Sequence, residues 1–193
     1  MFEKVAPRYD LLNHVLSFQI DKYWRSRTVR RVADTLARPD AIVLDLACGT
    51  GDLTLALSRG ARAKVIGSDF CHPMLTVAKE KQVARLFESD AMKLPVADGS
   101  VDLITCAFGF RNFTNYRRGM DEFFRVLKPG GRVAILEFST PPNAAFRALY
   151  GFYSTQVLPR IGAALSGAPE AYKYLPASVR KFPGAPALAE EFR

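Results

Sequence analysis

Two acidic residues, each at the end of a short apolar run, are the first candidates for chemistry in this chain. Asp45 ends one run and Asp69 ends the next, and the turn after Asp45 carries Gly49 and Gly51 before a helical pattern begins. Glycine adopts positive φ at no steric cost and lets a ligand approach the backbone. A helix that begins at such a turn directs its free N–H groups towards it. The pattern indicates a nucleoside or nucleotide cofactor site at the carboxyl end of the first strand of an α/β sheet.

The type of cofactor follows from what this turn contains and lacks. A dinucleotide-binding turn would have a third glycine where this chain has Thr54, and no Gly-Lys-Ser/Thr ending of a P-loop follows. The Asp45 carboxylate would repel a pyrophosphate and suits a cationic or zwitterionic ligand. Asp69 follows Asp45 at close to the spacing, roughly 20 residues, at which a carboxylate accepts ribose hydroxyls. These features fit S-adenosyl-L-methionine; the alternative is a turn and helix start with no ligand.

The elements that must position these residues alternate along the chain. Alternating strands and helices are typical of βαβ units and a parallel sheet. The turn Pro129-Gly130-Gly131 predicts the stop between a helix and the strand that follows it. Apolar runs predict strands at 41–47, 63–69, 84–88, 101–108 and 131–138, and helical patterns predict helices within 8–38, at 51–59, 72–82, 116–127 and 143–165, and near the end.

Composition limits the partners and the compartment. The net charge is +8, but no run of five basic residues occurs, so nucleic acid is not an expected partner. The three cysteines form no C-x-x-C pair, which argues against disulfides and a structural zinc site, and we expect no metal. A reduced, cytoplasmic compartment is expected. No stretch of 18 uncharged apolar residues occurs, so we expect no membrane-spanning segment.

Four longer motifs are more specific than the glycine turn. They are Tyr9-Asp10 with Asn13 and Trp24-Arg25, the run from Arg125 through Lys128-Pro129-Gly130-Gly131 to Glu137, the segment Phe108-Gly109-Phe110-Arg111-Asn112, and Tyr172 to Pro176 with Phe182-Pro183. Through these motifs the chain resembles the C-methyltransferases of ubiquinone and menaquinone biosynthesis, which are class I methyltransferases. The chain departs from that pattern at Asp21, where the family usually has histidine.

The resemblance implies a Rossmann-like α/β fold with a mostly parallel central sheet flanked by helices. We expect a single domain over 1–193: an N-terminal helical lid at 1–38, a cofactor-binding core at 39–138, and a helical substrate-side segment at 139–193. Such sheets normally have seven strands, the last two forming an antiparallel hairpin. The chain ends at Arg193, where family members continue, so the C-terminal hairpin is expected to be missing.

The resemblance also implies how the cofactor is held. Asp69 would accept the ribose hydroxyls, Phe70 would lie against adenine, and Thr50 would contact the methionine part. Asp90 and the backbone of Ala91 would take the adenine amino group and its ring. Tyr9 and Arg25 are candidates for a lid. The full cofactor-binding set is Asp45, Gly49, Thr50, Gly51, Asp69, Phe70, Asp90, Ala91 and Ala107, the last acting through its backbone.

For this family the methyl acceptor is a ring carbon of a prenylated quinol. A phenol with a pKa near 10 must lose or share its proton before that carbon becomes nucleophilic. Arg111, just after the fourth strand, is the candidate cation for the phenolate, and Asn112 is the candidate for orienting the ring hydroxyl. The alternative for Arg111 is a structural ion pair.

The most favoured function is therefore methylation of demethylmenaquinol to menaquinol. Another small-molecule methyltransferase, an O-methyltransferase among them, and an inactive binding protein stay open. Phe146, Leu149, Phe152 and Tyr153 recur at helical spacing, and with Arg147 and Arg160 they predict a tail-binding face that docks on an anionic membrane, at the inner face of the cytoplasmic membrane. Core packing is the alternative for these side chains, and a homodimer is an open possibility for the assembly.

Overall fold

The computed structural model describes residues 19–139 and 177–192, together with the isolated positions 17, 143, 145, 147, 151–153 and 156. Several predictions made from the sequence concern other residues. Tyr9 and the motif around it, and Phe146, Leu149 and Arg160 of the tail-binding face, lie outside the described residues.

The described elements follow the alternation that the apolar runs predict. Each predicted strand and each helix of the core is confirmed, with ends that differ by a few residues. The elements are α1 (Ile20–Arg31), α2 (Ala33–Leu36), β1 (Ile42–Leu46), α3 (Asp52–Ser58), β2 (Lys64–Asp69), α4 (His72–Glu80), β3 (Leu86–Glu88), β4 (Val101–Ala107), a 3-10 turn (Phe110–Asn112), α5 (Tyr116–Val126), β5 (Leu127–Leu136) and α6 (Ala185–Glu191).

The five strands form one parallel sheet in the order β3-β2-β1-β4-β5. The chain moves outwards from β1 to β3 on one side and then returns to place β4 on the other side of β1. The strand order therefore reverses between β1 and β4. Open α/β sheets bind ligands in the crevice beyond the carboxyl ends of the strands at such a reversal, which directs attention to the turns after β1 and β4.

The start of β5 differs from the prediction. Leu127 already pairs with Val101, and the next pairing joins Arg132 to Leu103, so the Pro-Gly-Gly turn forms a bulge within β5 and does not separate the strand from the helix. Gly130 has φ +79°, a conformation that glycine adopts without a steric cost. The extra residues loop out there while both flanking segments keep their partners on β4.

Side chains of the two sheet faces pack into separate apolar clusters. On one face Leu44 and Leu46 pack with Phe110, Phe123 and other buried residues. On the opposite face Val43 packs with Leu53, Leu57 and residues of α2, as the alternation of a strand requires. Asp45 shares the face of Val43, so its carboxylate is directed towards α3 and away from solvent.

The end of the chain contributes to the first cluster. Phe182 and Leu188 are buried there, and the Phe182 ring lies 6.1 Å from Phe110 and 5.7 Å from Tyr116 between ring centroids. Phe110 begins the 3-10 turn that follows β4. Residues 177–192 therefore pack against the turn that carries Arg111 and Asn112.

Within the part of the chain that the structure describes, none of the helices has the length and apolar character needed to cross a membrane.

Candidate functional site

A cavity of about 310 Å³ opens at the carboxyl edge of the sheet, where the strand order reverses. Its walls come from the turns that follow β1, β2, β3 and β4. The lining residues are Ala47, Gly49, Asp69, Phe70, Cys71, Met74, Ser89, Asp90, Ala91, Met92, Ala107, Phe108, Gly109, Asn112, Phe113 and Thr114.

Asp45 lies beneath this cavity and is completely buried. One carboxylate oxygen accepts a hydrogen bond from the Thr54 hydroxyl at 2.6 Å, and the other accepts one from the Thr105 hydroxyl at 2.7 Å. Burial raises the pKa of Asp45 to about 6, although the two hydroxyls and the positive charge of Arg25 lower it. The carboxylate joins β1 to α3 and to β4, so its contacts are structural, and it does not line the cavity.

The glycine turn above Asp45 has the backbone conformation that the sequence predicts. Gly49 and Gly51 have φ of +56° and +83°. A Cβ atom at Gly49 would meet nothing within 4 Å, whereas one at Gly51 would lie 2.5 Å from the Val83 side chain. Gly49 therefore leaves open space on the cavity wall, and Gly51 permits close packing of the turn on Ala78 of α4 and on Val83, which follows that helix.

Asp69 ends β2 and fixes the opposite side of the turn. Its two carboxylate oxygens accept hydrogen bonds from the backbone N–H groups of Gly49 (2.8 Å) and Cys71 (2.9 Å). Burial raises the pKa of Asp69, and these backbone N–H groups partly offset the rise. A carboxylate has about four lone-pair sites, so Asp69 on the cavity wall can still accept a hydrogen bond from a ligand hydroxyl.

The far wall of the cavity combines an exposed ring with a tight turn. Phe70 is 66% exposed, unusual for a phenylalanine beside a cavity. The Asp90 carboxylate accepts from the Met92 backbone N–H at 2.8 Å, and the Lys93 backbone N–H donates to the Asp90 carbonyl at 2.9 Å. Asp90 thus forms the strand-end turn and also faces the cavity beside Ala91.

The turns after β1 and β4 both contain a non-glycine residue with left-handed backbone. Ala47 has φ +50° and Phe108 has φ +59°, which costs about 1–2 kcal/mol for each residue. A Cβ atom at Gly109 would overlap that of Ala47, so the two turns meet directly. Strained residues of this kind persist only where surrounding contacts hold them, and they cluster at functional sites.

A buried ion pair holds the β4 turn. The Arg111 guanidinium donates to Glu137 Oε1 at 2.7 Å and to the Phe108 carbonyl, and the Arg111 backbone N–H donates to Glu137 Oε2 at 3.1 Å. Both side chains are nearly inaccessible, at 7% and 3% exposure. Burial raises the pKa of Glu137, and the Arg111 charge opposes that rise. The structural ion pair that the sequence left as an alternative for Arg111 is therefore present.

Three aromatic rings cover this ion pair. Phe108 and Phe138 stack with centroids 4.6 Å apart, and Trp24 of α1 lies 6.2 Å and 5.8 Å from them. The Arg111 guanidinium carbon lies 5.7 Å from the Phe138 centroid, within the range of a cation–π contact. The cluster brings the N-terminal helix over the carboxyl ends of β4 and β5.

The structure brings most of the predicted site residues together but not all of them. Gly49, Asp69, Phe70, Asp90, Ala91, Ala107 and Asn112 line the cavity, whereas Asp45, Thr50, Gly51 and Arg111 do not. Thr50 is buried and accepts a hydrogen bond from the Lys81 ammonium at 3.3 Å. The roles assigned to these residues stay predictions.

Sequence reasoning missed Glu137 as a site residue. The available signal was the one that selected Asp45 and Asp69, an acid at the end of an apolar strand. The cluster of Trp24, Phe108 and Phe138 could not be predicted in this way, because Trp24 and Phe138 are 114 positions apart in the sequence and come into contact only in the folded chain.

Two of the three cysteines, Cys48 and Cys106, are poorly suited to act as nucleophiles. Burial raises the pKa of the Cys48 thiol, and the nearby Asp45 and Asp69 charges raise it further. Burial also raises the pKa of Cys106, so neither sulfur is a thiolate near neutral pH. Among the described side chains, no three of His, Cys, Asp or Glu are grouped to hold a metal ion.

The cavity fits S-adenosylmethionine in three respects. Gly49 offers open space beside a helix start, Asp69 offers acceptor lone pairs for a diol, and Phe70 presents an exposed ring beside the Asp90 turn. Among the residues that the structure describes, no lysine or arginine lines the cavity, in keeping with a ligand that carries no phosphate.

The whole chain is similar to known methyltransferases. The ubiE/COQ5 methyltransferase family matches it over residues 1–193. A demethylmenaquinone methyltransferase of Thermus thermophilus is 48% identical over 97% of this chain and 87% of its own length. A protein of the same name from Deinococcus radiodurans is 47% identical, with 100% and 81% covered. A ubiquinone/menaquinone biosynthesis C-methyltransferase of Geotalea daltonii is 45% identical, with 95% and 80% covered.

Solved structures share the fold. A SAM-dependent methyltransferase from Aquifex aeolicus is 26% identical, with a TM-score of 0.52 over 61% of this chain and 66% of that one. A structure from Methanococcus maripaludis has a TM-score of 0.63 over 92% and 83% of the two chains, at 16% identity, and shows the common fold alone. The Rossmann-like methyltransferase fold predicted from the sequence is confirmed.

The raised pKa of Asp45 predicts an unusual pH dependence of stability. In the unfolded chain this carboxyl has its ordinary pKa of 3.8, and in the folded chain a pKa of about 6. Between these values the folded state binds more protons, so its stability falls as pH rises from 4 to 6, by about 3 kcal/mol. Asp45→Asn cannot titrate, so its free energy of unfolding relative to wild type should rise by that amount between pH 4 and pH 7.

Urea unfolding of both proteins at the two pH values measures this difference. Asp121→Asn, at an exposed position on α5, controls for the loss of one surface carboxylate. A stability difference between Asp45→Asn and wild type that does not change with pH would contradict the prediction.

Proposed function

The chain belongs to the ubiE/COQ5 methyltransferase family, and from that premise we propose that it methylates a ring carbon of demethylmenaquinol, using S-adenosylmethionine. The observation that carries the proposal is the 48% identity to a demethylmenaquinone methyltransferase across 97% of this chain. The cavity at the strand reversal supports it, because it combines a diol acceptor, an exposed ring and an open glycine.

The residues of the cavity wall hold the cofactor in this proposal. Asp69 accepts the ribose hydroxyls, Phe70 packs on the adenine ring, and Asp90 with the Ala91 backbone binds the adenine edge. When bound, S-adenosylmethionine supplies an electrophilic methyl group on a sulfonium sulfur. The Gly49 turn and the backbone of Ala107 place that end of the ligand beside Asn112 and exclude water from it.

Asn112 and Arg111 act on the quinol. Asn112 lines the cavity, so its amide can hydrogen-bond the ring hydroxyl next to the reacting carbon. Arg111 precedes Asn112 in the same 3-10 turn, and its Nε is the buried side-chain nitrogen without a hydrogen-bond partner among the described residues. A fixed positive charge at this position favours the phenolate form of the ring, which makes the neighbouring carbon nucleophilic. Glu137 keeps the guanidinium in place.

Three other functions compete with this one, among them the small-molecule O-methyltransferase that the sequence leaves open. The name of the Geotalea daltonii relative includes both ubiquinone and menaquinone biosynthesis, which supports a ubiquinol precursor as a second substrate. A catalytically inactive protein that binds the same ligands is the third alternative.

One assay separates these alternatives. The protein is incubated with methyl-labelled S-adenosylmethionine and, in parallel, demethylmenaquinol, a demethylated ubiquinol precursor and a catechol. We expect label in the demethylmenaquinol product and none when the oxidised quinone replaces the quinol, because the quinone lacks the nucleophilic ring. Cofactor binding without methylation of any acceptor would favour the inactive protein. Labelling of the catechol alone would favour an O-methyltransferase.

Substitution of Arg111 should mainly change kcat, and substitution of Asp69 should mainly change the cofactor Kd. Arg111→Lys replaces the rigid guanidinium, whose Nη1 donates to both Glu137 and Phe108, by a flexible ammonium. We therefore expect kcat to fall about 10- to 100-fold, with a smaller change in cofactor Kd. Asp69→Ala removes a charged acceptor, and we expect the cofactor Kd to rise about 10- to 100-fold. Single-turnover kinetics and calorimetry measure the two effects. Normal turnover in Arg111→Lys, or unchanged affinity in folded Asp69→Ala, would refute the corresponding role.

Peripheral docking on an anionic membrane is part of the proposal, because a prenylated quinol resides in the bilayer. The net charge of +8 favours an anionic surface. Of the predicted tail-binding face, the described residues Arg147 and Phe152 are exposed, Phe152 by 63%. We expect the protein to sediment with phosphatidylglycerol vesicles at low salt and Phe152→Ser to bind several-fold more weakly.

The matched control for this docking test is Phe124→Ser, which removes a ring that is 87% exposed on α5. It should bind vesicles as wild type does. Failure of the wild-type protein to sediment, or equal losses in the two variants, would rule out docking through the Phe152 face.

A further inference from the structure

We propose that Arg25 binds the carboxylate of the methionine part of the cofactor, and that Asp21 positions Arg25 for this contact. The inference rests on the proposed use of S-adenosylmethionine and assigns a ligand to a residue that the cofactor-binding set does not contain.

Arg25 lies where the N-terminal helix meets the two central turns. Its side chain is 12% exposed, and Nη1 donates to the carboxylate of Asp21, which is 4% exposed. Its Nη2 lies 3.6 Å from a carboxylate oxygen of Asp52, the first residue of α3. The guanidinium carbon is 5.7 Å from the centroid of the Phe108 ring. Arg25 thus contacts residues that adjoin the glycine turn and the β4 turn at once.

The direction of the bound ligand leads to the same place. In the proposed function Phe70 and Asp90 bind the adenine end and Asp69 binds the ribose; all three line the cavity on the walls formed after β2 and β3. The rest of an extended ligand must run towards the turns after β1 and β4, where Gly49 and Phe108 form the wall. The methionine part ends in a carboxylate and an ammonium group. A cation at that end of the cavity would pair with the carboxylate, and the Arg25 guanidinium contacts the ring of Phe108, which lines that end.

The hydrogen bonds of Arg25 leave donors for such a ligand. Within the described residues, Nη1 donates to Asp21, while the 3.6 Å separation of Nη2 from Asp52 exceeds the length of an N–H···O hydrogen bond. A guanidinium has five N–H donors and binds carboxylates in a planar, bidentate manner. The other cation nearby, Lys81, already bonds Asp52 and Thr50 on the α4 side of the turn.

Asp21 accounts for the orientation of Arg25. Its carboxylate is buried in α1 and also accepts a hydrogen bond from the Ser17 hydroxyl at 2.7 Å. A buried carboxylate one helical turn before the arginine holds the guanidinium on the side of α1 that meets Asp52 and Phe108. Asp21 is thus a positioning residue at the position where the sequence departs from the histidine usual in the family.

The competing explanation is that Arg25 only ties α1 to α3. The two explanations differ in their dependence on the ligand, because a tie between helices contributes equally whichever ligand binds. Calorimetry with S-adenosylmethionine and with its decarboxylated analogue, which lacks only the carboxylate, separates them without measuring turnover.

Arg25→Gln should weaken binding of S-adenosylmethionine about 10- to 100-fold, the loss of a charge-assisted hydrogen bond, and binding of the decarboxylated analogue by less than about threefold. Arg25→Lys keeps the charge and should show a smaller loss, confined to the same ligand. The control is Arg27→Gln on the same helix, whose guanidinium contacts Tyr23; it should leave both affinities unchanged.

Equal losses for the two ligands would show that Arg25 is a structural tie, and no loss for either would place the carboxylate elsewhere; both results overturn the inference. Thermal unfolding of each variant identifies a loss of folding, and Arg25→Lys then supplies the comparison. Failure of the wild-type protein to bind S-adenosylmethionine would instead overturn the proposed function.

Discussion

The Asp45 carboxylate accepts one hydrogen bond on each oxygen, and these two bonds join the three elements that meet beneath the cavity. Thr54 brings in α3 and Thr105 brings in β4, while Asp45 itself belongs to β1. An ionised carboxylate in a solvent-free site costs several kcal/mol unless it is hydrogen-bonded. The position of the glycine turn and of the β4 turn therefore depends on this carboxylate, although it does not line the cavity.

The second constraint is the left-handed backbone at Ala47 and Phe108. Two adjacent turns can approach closely only because Gly109 has no side chain, and the strain at Phe108 is opposed by the Arg111 contact to its carbonyl. Glu137, at the end of β5, neutralises the arginine that makes this contact. A buried pair of this kind is costly to break from one side, since the remaining charge has no partner. The site thus depends on contacts that fix the carboxyl ends of β1, β4 and β5 relative to one another.

Much of the fold was determined by the sequence alone. The alternation of short apolar runs with helical patterns reports burial on both faces of a parallel sheet, a local property that needs no tertiary information. The acids near the carboxyl ends of β1 and β2, Asp45 and Asp69, and the positive φ of the glycine turn follow from residue type and position in the same way. Family motifs added the identity of the fold and the site residues on the cavity wall, because they occur at fixed points of those elements.

Only the tertiary structure decided which of these residues face the cavity. Asp45 and Asp69 share one sequence pattern but have different surroundings. Strand register places Asp45 opposite Thr105 in the middle of the sheet, where it is buried. Asp69 is the last residue of β2 and lines the cavity. The ion-pair partners of Arg111 and Arg25 also could not be predicted from the sequence. Glu137 lies 26 positions from Arg111, and Asp52 lies 27 from Arg25. Ion pairs between elements depend on packing distances and burial, which are properties of the assembled chain and not of any segment of it.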